Sequence, residues 1–132
     1  MARPQDAALH PKATEGLHLM NRGEYFEAHE ALEAAWKEEP GTLRDLYKGI
    51  LQAAVVYLHI TRRNYPGAVK VYGRSQKWLT KWEGVVLGID VATLRHDLDA
   101  AMAEVRRLGP ERLADFDQTL LKPVSWNEPP SS

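Results

Sequence analysis

Leu43-Arg44-Asp45-Leu46-Tyr47-Lys48-Gly49-Ile50-Leu51-Gln52-Ala53-Ala54-Val55-Val56-Tyr57-Leu58-His59-Ile60 decides the fold. Placed at about 100° per residue, Leu43, Leu46, Tyr47, Ile50, Leu51, Ala53, Ala54, Val56, Tyr57, Leu58 and Ile60 cover most of a helix circumference. A helix apolar nearly all round belongs in the middle of a bundle. Its polar residues form one narrow stripe of Asp45, Lys48, Gln52, His59 and Arg63, with Gln52 and His59 two turns apart on one line. Gly49 and Ala53 leave room for a neighbouring helix to come close.

Working outward, this third helix is expected over 42–63, with Thr42 as N-cap, Asp45 at the capping-box position and Asn64 as a left-handed stop. Before it, 11–20 reads as a first helix opened by Pro11, and Asn21-Arg22-Gly23 breaks the chain. A second helix spans 24–38 and ends at Pro40-Gly41. After it, a fourth helix covers 66–83, with Ala68, Val71, Tyr72, Ser75, Trp78, Leu79 and Trp82 on one side and Lys70, Arg74, Lys77 and Lys81 in a line on the other. The stretch 85–89 reads as an apolar connector tucked under the bundle rather than a strand. Asp90 caps a fifth helix over 91–108, stopped by Gly109-Pro110. A short helical turn fits 111–121, and the Pro-containing tail from Lys122 reads as extended, with Val124 and Trp126 as its anchors. The expected architecture is all-α: a single-domain bundle of about five helices built from antiparallel hairpins, with the third helix central. The corresponding division is an N-terminal extension over 1–10, a bundle domain over 11–109, and a C-terminal turn and tail over 110–132.

Size and composition agree. The chain has 132 residues, 44% of them hydrophobic, enough for one core. It has no cysteine, which excludes disulfides and thiolate metal sites and fits a cytoplasmic location. No run approaches the roughly 18 apolar residues of a membrane helix, so no membrane partner is expected. The net charge of −1 gives no global attraction to nucleic acid, which is not expected as a partner. Charge is nevertheless segregated. Between Glu24 and Glu39 six glutamates stand against Lys37, a local balance of −5, whereas Arg62 to Lys81 holds six bases and no acid. These blocks attract one another or each faces a partner.

The second helix carries the candidate site. His29 and Glu33, four apart, lie on one side of the helix at the edge of its apolar face, between Trp36 and Phe26. An ionisable pair bordered by large apolar groups needs a partner, because an unpaired buried charge costs several kcal/mol. The string His29-Glu30-Ala31-Leu32-Glu33 resembles half of a zinc-peptidase helix, where two ligands stand one turn apart beside a Glu that activates water. Its metal version takes His29, Glu33 and His59 as ligands of a divalent ion such as zinc, with Glu30 as the water-activating candidate. Its structural version is a His–Glu pair that joins the second helix to the third. Glu15 and His18 have the Glu-x-x-His spacing of di-iron bundles, but a single copy cannot build one.

Asn21-Arg22-Gly23-Glu24-Tyr25-Phe26-Glu27-Ala28-His29-Glu30-Ala31-Leu32-Glu33-Ala34-Ala35-Trp36 resembles the signature of the prokaryotic domain of unknown function 309 family. Tyr47-Lys48-Gly49-Ile50-Leu51-Gln52-Ala53-Ala54 and Arg63-Asn64-Tyr65-Pro66-Gly67-Ala68 resemble its second and third blocks, so the likeness runs from about Gly16 to Asp90. The resemblance implies a compact all-helical fold and no established activity. By position, His29, Glu30, Glu33, Trp36 and Gln52 are its signature polar and aromatic residues. The leading functional expectation is a pocket on the second and third helices, formed by His29, Glu33, Gln52 and His59 with Trp36 beside it, that binds a metal or a small polar ligand. The competing expectation is a non-catalytic module for a protein partner, in which the His–Glu pair is structural.

Overall fold

The structure is a computed structural model and describes residues 9–127. The outer parts of the N-terminal extension and of the C-terminal tail lie outside the described residues. Five helices run in chain order: α1 Pro11–Asn21, α2 Tyr25–Glu38, α3 Leu43–Thr61, α4 Tyr65–Leu79 and α5 Val91–Arg112. Connections of three or four residues join the first four, which forces neighbours to run antiparallel. α1 packs on α2, α2 on α3, α3 on α4, and α4 on α5. The expected all-α, single-domain bundle is what forms, and α3 is its centre. Leu46, Tyr47, Ala53, Ala54, Val56 and Tyr57 on α3 are fully buried.

Two glycines set the closest helix crossings. A Cβ on Gly16 would stand 2.6 Å from Leu32 Cγ of α2, and one on Gly49 would stand 2.7 Å from Leu79 Cδ2 of α4. Polar ties fix the other elements. The His10 backbone N–H donates to Tyr47 Oη at 2.9 Å, and Tyr72 Oη donates to Asp99 Oδ1 at 2.6 Å, joining α4 to α5. Burial and the Asp99 carboxylate together push the Tyr72 phenol up to about 12.

Several local expectations need correction. Thr42 does not cap α3: its backbone is already helical and its side chain makes no capping bond. Asp45 instead receives Lys81 Nζ at 2.8 Å, so the helix start gives up its capping box for a tie to the chain just past α4. The left-handed stop after α3 is Arg63, at φ 57, rather than Asn64. Asn64 is the N-cap of α4 and accepts from the Gly67 backbone N–H at 3.1 Å. α4 ends at Leu79, earlier than the periodicity suggests. α5 is continuous only in hydrogen bonding: Gly109, at φ 72 and ψ 176, breaks it where Gly-Pro was expected to stop it.

The connector after Gly84 is also not a simple tucked loop. Val85–Val86 (β1) and Ile89–Asp90 (β2) pair antiparallel, with Val85 opposite Asp90 and Val86 opposite Ile89. Leu87 and Gly88 both take positive φ, 48° and 81°, the two-residue turn that matches strand twist. Asp90 then caps α5 as expected, accepting from the Thr93 backbone N–H at 3.0 Å. The segment after α5 passes through short 3-10 turns at Leu113–Asp115 and Gln118–Leu120 and returns across the body. Val124 is buried there, Trp126 bridges Ile89, and the Trp126 ring meets His18 edge-on at 4.9 Å.

Candidate functional site

α2 places His29 and Glu33 on one side as its periodicity requires. His29 Nε2 and Glu33 Oε2 stand 3.4 Å apart, and Lys37 Nζ reaches Glu33 Oε1 at 3.3 Å. The pair is not the enclosed one that the sequence suggested. The His29 and Glu33 side chains are 30% and 36% exposed, and Phe26 beside them is 43% exposed. Water therefore solvates both groups, and the need for a buried partner disappears. Glu30, one step round the helix, is exposed and makes no ion pair among the described residues.

His59 does not join them. It sits at the end of α3, where Asn64 Nδ2 lies 3.1 Å from its Nδ1. Because Asn64 Oδ1 already accepts from Gly67, its amide N–H₂ must donate to an unprotonated Nδ1, so the neutral ring fits this environment. Burial and the Arg62 guanidinium hold the His59 imidazole below its ordinary value of 6.5. Among the described residues, no group of three or more His, Asp or Glu side chains is gathered where it could hold a metal ion. The three proposed ligands are thus not brought together, and Glu15 and His18 make no such group either.

A pH effect follows from His59. Its folded value lies below its unfolded one, so within that interval the unfolded chain binds more protons. The stability it supports is complete above about 6.5 and falls as pH drops toward the folded value. Thermal melts between pH 7.5 and 5 should show this decline, and a His59→Gln variant should show a smaller one. Equal declines in both proteins would remove the effect from His59.

The polar stripe of α3 has a different neighbour. α3 and α4 are joined by only three residues, 62–64, and their outer faces form a shallow open groove of about 600 Å³. Its lining is Lys48 and Gln52 from α3 with Lys70, Gly73, Arg74, Lys77 and Trp78 from α4. Four bases and no carboxylate line it. Gln52 Oε1 is buried and reaches no hydrogen-bond partner among the described residues. Gly73 is a mid-helix glycine at which a Cβ would meet nothing within 4 Å. A second depression of about 500 Å³ adjoins the first, shares Trp78 with it, and is lined also by Trp36, Arg44 and Asp45. Cations lie over both indoles: Lys48 Nζ is 4.5 Å from the Trp36 ring centroid, and Lys77 Nζ is 4.9 Å from that of Trp78.

The residues singled out in the sequence therefore divide. Gln52 lines the basic groove, Trp36 lines the adjoining depression with Arg44 and Asp45, Glu30 and Glu33 border a depression on α2 with Lys37 and Glu38, and His59 stands apart. Sequence reasoning set Lys70, Arg74 and Lys77 in a basic line that answers the acidic block or faces a partner, placed Trp78 on the apolar side of that helix, and passed over Gly73. The available signal was the short α3–α4 connection, which sets the Lys48/Gln52 stripe beside the basic row.

Residues 13–71 match the family model described as Domain of unknown function (DUF309). Over 70 residues the chain is 40% identical to the uncharacterized protein YpuF of Bacillus subtilis (strain 168). That alignment takes in 51% of this chain and 40% of YpuF, so the chain matches less than half of its relative's length. The resemblance read from the sequence is borne out over α1, α2, α3 and the start of α4, a shorter stretch than the one reaching Asp90. It brings no activity with it. Lys48, Gln52 and Lys70 of the groove fall inside the matched stretch, and Gly73, Arg74, Lys77 and Trp78 fall outside it. Among the described residues no helix is long and apolar enough to cross a membrane.

Proposed function

We propose that this chain is a non-catalytic binding module whose working surface is the basic groove between α3 and α4, and that the groove takes an anionic segment of a partner. The observation that carries this reading is the lining itself: Lys48, Lys70, Arg74 and Lys77 around a half-buried tryptophan, with no acid among them. Like charges gathered around a low-dielectric floor repel one another, and an incoming anion relieves that repulsion. Gln52 Oε1, an acceptor without a partner among the described residues, is left to take an N–H from the backbone of the same segment rather than its carboxylates. Gly73 keeps the helix backbone approachable at the cost of about 1 kcal/mol of helix propensity relative to alanine. The ligand pocket expected on α2 and α3 gives way to one on α3 and α4, with Gln52 common to both. The His29–Glu33 pair then acts as a surface ion pair worth at most about 0.5 kcal/mol when the histidine is protonated.

Titration with short poly-glutamate, followed by tryptophan emission, tests this. The wild-type protein should bind in a salt-dependent manner. A Lys70→Glu/Arg74→Glu variant should bind at least about tenfold more weakly, since two favourable charge pairs become repulsive. A His29→Ala variant should bind as the wild type does. Equal affinity for the wild type and the charge-reversed variant would remove the groove from the account.

A further inference from the structure

The same chain carries a surface of opposite charge on a different part of the helix row. On α2, Phe26, Glu30 and Glu33 follow one another at four- and three-residue spacing on the outer side, with Glu27 and Glu38 beside them; Lys37 pairs with Glu33, so Glu27 and Glu30 carry the free charge of this face. Glu27 and Glu30 make no ion pair among the described residues, and neither do Lys70 and Arg74 of the groove. Each pair is exposed and spans about one helical turn, so the two can stand opposite each other across a contact. α3 lies between α2 and α4, which keeps the acidic face from reaching the basic groove of its own chain. The attraction suggested by the charge blocks is thus unsatisfied within one molecule. Phe26, 43% exposed, supplies an apolar side chain next to the acids, and the open backbone at Gly73 lets a helix come close.

We propose that the α3–α4 groove receives the acidic outer face of α2 from a second copy of this chain, so that copies associate head to tail. This rests on the groove reading above and names its occupant. The contact is heterologous: one copy's α2 meets another's α4, and an open chain of copies keeps one acidic and one basic face unpaired, one at either end, until it closes into a ring. A long polyanion such as nucleic acid is the weaker candidate, because the whole molecule carries a net charge of −1 and would present its own acids to it.

The test is the molar mass in solution, by sedimentation velocity on the full chain. At low salt and high protein concentration, the wild type should exceed the monomer mass of 14.9 kDa. High salt should weaken association roughly tenfold or more, as screening removes the charge pairs. The Lys70→Gln/Arg74→Gln and Glu27→Gln/Glu30→Gln variants change only exposed side chains and should stay folded. Each alone should be monomeric at low salt. Mixed in equal amounts they should form a one-to-one pair, because one keeps the acidic face and the other the basic groove. A wild type that stays monomeric, a variant that still self-associates, or a mixture that does not pair overturns the proposal. If the monomeric protein still binds poly-glutamate, the second copy is wrong as occupant while the groove stands. If it does not, both fall.

Discussion

Replacing Gly49 with valine should destabilise the protein by about 2–3 kcal/mol and lower its melting temperature by roughly 10 °C. Gly49 lies where α3 and α4 come closest. A Cβ there would stand 2.7 Å from Leu79 Cδ2, 3.0 Å from Leu79 Cγ and 3.3 Å from Trp78 Cβ. Leu79 is fully buried, so it has nowhere to retreat without displacing other core atoms. The usual gain of about 1 kcal/mol on removing a helical glycine is outweighed by this overpacking, and the branched Cβ of valine adds to it. Gly73 on the same helix pair gives the opposite sign: a Cβ meets nothing there, so Gly73→Ala should stabilise by up to about 1 kcal/mol. Thermal melts of the two variants beside the wild type check both. A Gly49→Val protein that melts at or above the wild-type temperature would mean that the helices do not cross at this residue.

Asn21→Ala should cost about 1–3 kcal/mol, felt first as opening of the C-terminal segment. The Asn21 side chain serves both backbone groups of Val124: its Nδ2 donates to the Val124 carbonyl at 2.8 Å, and its Oδ1 accepts from the Val124 N–H at 2.7 Å. Val124 is buried but Asn21 and the neighbouring Ser125 are exposed, so alanine would leave two half-buried backbone groups that water replaces only in part. The segment has further ties, from the Asp90 N–H to the Ser125 carbonyl at 2.9 Å and from the Asn127 N–H to the Gly88 carbonyl at 3.0 Å. These lean on the same placement. Amide hydrogen exchange should therefore quicken at Val124 and Asn127 well before it changes in α3. Unaltered exchange at both amides would show that the segment holds without Asn21.

The helical core was open to sequence reading because it rests on periodicity. Leu46, Tyr47, Ile50, Ala54 and Tyr57 mark a helix buried on nearly every side, and α3 is buried in that way. Boundaries were harder, because side-chain capping competes with longer-range partners. Asp45 satisfies Lys81 rather than its own helix start, a contact 36 residues away that no local pattern reveals. The hairpin at Val85 was hidden for a related reason. Its turn uses Leu87 at positive φ, where asparagine is the usual sign, and it is held by the Ile89–Trp126 bridge from the far end of the chain. The candidate site failed at a further level. Spacing alone placed His29 and Glu33 on one helix face, and that much holds. How exposed that face is, and whether His59 comes near it, depend on the packing of α2 against α3. The groove needed the same tertiary information: Lys48 and Gln52 meet Lys70, Arg74 and Lys77 only once two helices have been laid side by side.

The most direct test of the groove is a two-dimensional NMR titration of the isotopically labelled chain with short poly-glutamate. The backbone amides of Gly73 and Arg74, the side-chain amide of Gln52 and the Trp78 indole should shift together with one affinity, while His29 and Glu33 stay in place. Shifts confined to α1 and α2, or no shift at Gln52 and Trp78 at low salt, would contradict it.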